Sequence, residues 1–251
     1  TTMVENVKKG FPLSQADYEN AVNIAINTED QITLNKLEQL AKDANIYAQL
    51  ATMSVGEIEN RKNILLEFQK TKGALSLDDT NNLRITTEYL SKLTSDLNKD
   101  QLMTGNERNI GVSIQDIGFE KLLTGELKPE DFTERVKQRI GNAYAVANHY
   151  KRNVVFFTNN EKKAIQAAYQ KAETPDQIIK LTTALVQSFG MESDKAFAQF
   201  SKEDSFFAHI GGLVMQTGGA GDNVKLAVEG FLLMQGEENK KIYSVKNEDR
   251  A

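Results

Sequence analysis

At Ser54/Glu57, Ser76/Asp79, Thr158/Glu161 and Thr174/Gln177 a hydroxyl residue is followed three positions later by a carboxylate or an amide. That spacing lets the two side chains satisfy, reciprocally, backbone N–H groups left open at a helix start. Behind each pair apolar residues recur at three- and four-residue intervals, the period of a helix with one buried face. Proline occurs three times, at Pro12, Pro129 and Pro175. No alternating run of β-branched or aromatic residues is long enough for a strand. These features predict an all-α protein, a multi-helix bundle or irregular helical array in two subdomains.

Ser54 opens a helix carrying Ile58, Leu65 and Phe68 on one face, with Gly73 as its left-handed cap. Ser76 opens the next, through about Leu97, striped by Leu83, Leu90, Leu93 and Leu97, and the short connection predicts an antiparallel hairpin. Upstream, Leu34, Leu37, Leu40, Ala41, Ala44, Ala48 and Ala51 share one side of a helix, preceded by a shorter one from Ser14 to about Ile26. The polar, glycine-bearing stretch "NKDQLMTGNERNIGV" reads as a linker. The expected organisation is therefore an N-terminal helical subdomain over 1–98, a linker over 99–112 and a C-terminal subdomain over 113–251.

In that second part a short helix lies near Leu122. Pro129 suits the first turn of a long helix with Phe132, Val136, Ile140, Ala143, Tyr144 and Ala147 on its apolar face. Thr158 and Thr174 cap two more, the second ending at Gly190, and Ser193 and Ser201 each begin a short successor. "VVFF" at 154–157 reads as a buried extended connector.

With 251 residues, 40% hydrophobic and 26% charged, the chain has ample material for a core without metals or disulfides. Cysteine is absent, which removes thiolate catalysis and cysteine metal sites. No apolar run has a membrane-spanning length, and the first thirty residues lack the order of a signal peptide. A chain that starts at Thr1 rather than Met is expected to be a processed product or a segment of a longer one. The net charge of -5 does not favour nucleic acid. Lys128 to Arg152, with six basic and three acidic residues, reads as a solvated helix face.

The glycine-rich "TGGAGDN" at 217–223 lacks the Lys and Ser/Thr that a phosphate loop requires and carries Asp222 instead. It reads as a helix–helix corner, with Asp222 as the cap of a helix bearing Val224, Ala227, Val228, Phe231 and Leu232 and stopping at Gly236. His149 and His209 are 60 positions apart, without metal-helix spacing, and His209 reads as a packed side chain. The acidic stretch around Asp78 has Leu83 where a calcium loop needs glycine. No cofactor, metal or small-molecule ligand is expected.

Two resemblances add to this reading. "GMESDKAFAQF" and "GGLVMQ" resemble the Glu-Ser and Gly-Leu-Met-Gln elements of soluble lytic transglycosylases. That likeness implies Glu192 as general acid and base in peptidoglycan cleavage, a role that needs a raised carboxyl pKa. The chain departs from the pattern in lacking the Ser, Gly-Ala segment between Ser193 and Gly211, and in the extra Val214. More broadly, "ENRKNILLEFQKTKGALSLDDTNNLRITTEYLSKL", "RVKQRIGNAYAVANHY", "FTNNEKKAIQAAYQKAETPDQIIKLTTAL", "FFAHIGGLVMQTG" and "VKLAVEGFLLMQG" resemble helical regions of large phage internal virion proteins, ejected core or tape-like. This implies a nonenzymatic segment packaged in the particle and assembling with copies of itself or other virion proteins. A cellular helical adaptor is the remaining expectation.

Overall fold

A computed structural model describes all residues except 1, 109, 173, 201–204, 220 and 236–251. The described residues form helices and loops with no strand, an all-α array as the periodicity predicts. The helix start expected at Ser201 and the stop at Gly236 lie outside the described residues.

The chain folds as two compact units, residues 1–113 with 145–154, and residues 114–144 with 155–251. The first unit holds α1 (Thr2–Lys8), α2 (Gln15–Asn27), α3 (Gln31–Ala51), α4 (Val55–Lys72), α5 (Leu77–Lys99) and α6 (Gln101–Glu107). The second contains α7 (Phe119–Thr124), α9 (Asn159–Lys171), α10 (Pro175–Phe189), α11 (Ser193–Ala198), α12 (Ser205–Thr217) and α13 (Asp222–Gln235). The division falls inside α8 (Pro129–Tyr150), whose last residues belong to the first unit.

These units differ from the division expected at 99–112. That stretch contains α6, in which Gln101, Leu102, Thr104 and Gly105 are buried. Asp100 caps this short helix by accepting from the Met103 N–H, and Gly105 allows Val146 to approach closely, a Cβ there meeting Val146 at 2.6 Å. Leu102, fully out of water, then anchors α6 in the first core.

In that unit the α4–α5 hairpin forms as its caps require. Ser54 and Glu57 complete the reciprocal box, Gly73 takes φ 74°, and Ser76 Oγ accepts from the Asp79 N–H. Ile58, Leu65, Leu90, Leu93 and Leu97 are buried, whereas Phe68 is 47% exposed. The buried stripe of α3 is Leu37, Leu40, Asp43, Tyr47 and Leu50, with the alanines beside it only half-buried. Bulk decides this, since the larger side chains remove more apolar area from water.

The core of the second unit is aromatic. Phe157 packs between Phe189 and Phe200 at 5.2 and 5.1 Å, and Phe207 meets Phe200, Tyr169 and Phe197 at 4.5, 4.6 and 4.8 Å. Edge-on and tilted packing of this kind suits the ring quadrupoles. Phe156 and Phe157 of the extended connector are buried, and no strand forms there. The corner between α12 and α13 carries Gly218 at φ 70° and Gly219 at φ 151°, backbone that side chains disfavour.

Candidate functional site

Glu192, the one catalytic candidate in the sequence, ends a 3-10 turn, Gly190–Glu192, between α10 and α11. It meets Tyr144 of α8 and Lys195 of α11. Tyr144 Oη donates to Glu192 Oε2 at 2.7 Å, and Lys195 Nζ donates to the same oxygen at 3.0 Å and to Tyr144 Oη at 2.7 Å. The hydrogen bonds from Tyr144 and then Lys195 hold the Glu192 carboxyl below its ordinary pKa. The same contacts raise Lys195. A general acid needs the opposite shift, obtained by burial against apolar groups. This triangle favours the ionised carboxylate as a clamp between helices.

Ser193 is the first residue of α11, and Glu192 occupies the cap position. The Ser193 hydroxyl donates backwards to the carbonyls of Val186 and Gly190, at 2.9 and 2.7 Å. The second element of the transglycosylase-like pattern, Gly211–Gln216, lies within α12, where Gly211 packs against the Phe197 ring. Its glycine serves helix packing.

The glycine corner connects two helices, and α13 begins at Asp222 itself. Thr217 Oγ1 is occupied by the carbonyls of Leu213 and Gly219. His149 stacks edge-on against Tyr150 at 4.7 Å, and His209 is exposed, contrary to the packed side chain expected there. Its position on α12 faces away from Phe207 and Ile210, which take the core. Among the described residues no group of three His, Cys, Asp or Glu side chains is placed to hold a metal ion, and no helix is long and apolar enough to cross a membrane.

Three charged centres escaped the sequence. Arg139, read as part of a solvated basic face, is buried against Glu161 and also donates to the carbonyls of Phe156 and Gln115. Glu161 accepts in addition from the backbone N–H groups of Ile117 and Thr158. Asp43 of α3 is buried and accepts from Gln39, Asn81 and Arg84 at 2.7, 2.7 and 3.3 Å. Arg108 is buried, paired with Asp96 at 3.3 Å, and sits over the Tyr89 ring at 4.9 Å. The Thr158/Glu161 spacing announced a cap, but nothing local announced the arginine. All three centres tie elements of one unit together; Arg139, Glu161 and Asp43 are held by several partners each, whereas Nη1 of the buried Arg108 has no hydrogen-bond partner among the described residues.

A groove of about 940 Å³ lies in the second unit, bounded by α7, α9 and α10, and a smaller hollow of about 520 Å³ lies in the first, beside Ser54, Glu57 and Tyr150. The floor of the groove is Ala164, Ala167, Ala168 and Ala172 from the α9 side, with Leu181 and Ala184 from α10 and Leu122 and Leu123 from α7. Lys171, Lys180 and Glu120 stand at its rim. The volume stays open because these floor side chains are small. The apolar side chains of the lining suit it to receive an apolar surface.

Searches against family models, curated proteins and solved structures found no match to this chain.

Proposed function

We propose that this protein is a nonenzymatic assembly component, a helical segment of a phage internal virion protein that packs against copies of itself or neighbouring virion chains. The observation that carries the assembly role is the set of large apolar side chains left in water on its helices. Ile24, Ile26 and Ile32 are 55–68% exposed around the α2–α3 turn, and Leu226 and Leu233 are similarly exposed on α13. Single exposed apolar residues are ordinary, but Leu226 and Leu233, seven residues apart on one face of α13, form a surface that another chain can cover. The phage setting rests on the helical segments quoted above and is an inference from that resemblance.

The transglycosylase reading finds no support in the surroundings of Glu192, where a phenol and an ammonium stabilise the charged carboxylate. The adaptor reading shares the assembly surfaces and differs in its partners. Light scattering across a concentration series, followed by a peptidoglycan-release assay on the same sample, tests the proposal. A defined oligomer without muropeptide release is expected. A persistent monomer that releases muropeptides, and loses that activity as Glu192→Gln, overturns it.

A further inference from the structure

The face of α13 turned to water has a regular composition. Leu226 and Leu233 are 65% and 63% exposed and lie seven residues apart, about 10 Å along the helix. Asp222 and Glu229, also seven apart and exposed, run along one flank of that row. Lys225, also exposed, lies between them on the same flank, so the face is an apolar ridge whose edge carries two carboxylates and one ammonium group.

The groove between α7, α9 and α10 has the complementary character. Ala164, Ala168 and Ala172 follow one another at four-residue steps, a floor about 12 Å long with room above it. Lys171 and Lys180 are exposed at its rim, and neither forms an ion pair among the described residues. No α13 residue lines the groove, so the chain does not fill it with its own ridge.

We infer that the Leu226/Leu233 ridge of one copy docks into the α7/α9/α10 groove of a second copy, with Asp222 and Glu229 against Lys171 and Lys180. This rests on the assembly reading above and specifies its surfaces. Leucines supply bulk where the alanines leave space, and a flank of net charge -1 from Asp222, Lys225 and Glu229 meets a rim of net charge +1 from Lys171, Lys180 and Glu120. That complementarity of shape and net charge favours a second copy as the occupant. Charge matters here because a chain of net charge -5 otherwise repels its copies. Ridge and groove are different patches, so the contact is head-to-tail and propagates into a ring or a filament.

The test uses the full chain and exposed positions that leave the cores intact. Sedimentation velocity over a concentration series is run on wild type, on Leu226→Ser/Leu233→Ser, on Lys171→Glu/Lys180→Glu and on Asp222→Lys/Glu229→Lys, each with wild-type circular dichroism. The serine variant is expected to associate at least tenfold more weakly. Each charge variant alone is expected to weaken, and an equimolar mixture of the two is expected to recover association, because reversed grooves then meet reversed ridges.

Wild type that self-associates while every variant matches it overturns the docking and leaves the assembly role intact. A wild type that stays monomeric overturns the docking and the self-assembly arm together. Native mass spectrometry that finds a small amphiphile retained on wild type and lost from Lys171→Glu/Lys180→Glu assigns the groove to a ligand and also overturns the inference.

Discussion

Arg139 and Glu161 meet in the second unit with both side chains nearly out of water, 2% and 6% exposed, and Arg139 Nη2 donates to Glu161 Oε1 at 2.9 Å. The carboxylate also serves as the cap of α9 through the Thr158 N–H at 2.9 Å. One glutamate therefore fixes a helix start and neutralises the guanidinium of α8. Its full complement of donors is what makes burial of the two charges tolerable.

Removing one charge of that pair leaves the other buried and uncompensated. Glu161→Gln, which can still accept from Thr158, is expected to lose about 3–5 kcal/mol of stability. Adding Arg139→Met is expected to cost less than the sum of the two single changes, by more than about 1 kcal/mol. Urea midpoints of the four proteins check this; additive costs would mean that the residues act separately.

Adjacent glycines of α12 should respond oppositely to alanine. A Cβ on Gly211 would lie 2.2 Å from Cδ1 of Phe197, while one on Gly212 meets nothing within 4 Å. Gly211→Ala is expected to destabilise by about 1–3 kcal/mol through overpacking. Gly212→Ala is expected to stabilise by about 0.5–1 kcal/mol through helix propensity. Thermal melts read both signs.

Alkaline stability depends on Tyr150, whose phenol burial pushes up to about 12, against the counteracting charge of Arg108. A raised folded-state value means that the folded form holds the proton more tightly, so this contribution is present below the ordinary value near 10 and disappears as pH rises towards 12. Tyr150→Phe is expected to flatten the fall in melting temperature across that window. An unchanged slope would place the titration on Tyr47 or Tyr89, which burial also raises.

At the acid end Glu192 acts in the reverse sense. Its lowered value means that the Tyr144 and Lys195 contacts stabilise the fold above the ordinary carboxyl value and are lost as pH falls through the lower, folded-state one. The melting temperatures of wild type and Glu192→Gln should therefore differ most near neutral pH and converge in acid. A gap that widens on acidification contradicts the clamp.

Helix identity was legible in the chain because it is local. Ser54, Ser76 and Thr158 accept from the backbone three residues on, and Gly73 turns left-handed, all within one turn of a helix. The α6 helix was missed although Asp100 caps it by accepting from the Met103 N–H, because its seven residues carry too short an apolar pattern to show which would be buried, as Leu102 is. Glu192 was visible only through its likeness to a Glu-Ser element, and its character came from Tyr144, 48 positions away.

By itself, the sequence determined the all-α class, most helix boundaries and the exclusion of cysteine chemistry, because capping and periodicity act over a few neighbouring residues. Tertiary structure alone decided which charges are buried, which alanines border an open groove and which leucines remain in water. Those outcomes depend on side chains brought together from distant parts of the chain, as Arg139 from α8 meets Glu161 from α9. Short-range patterns carry no information about such meetings, since desolvation and packing are properties of the assembled neighbourhood.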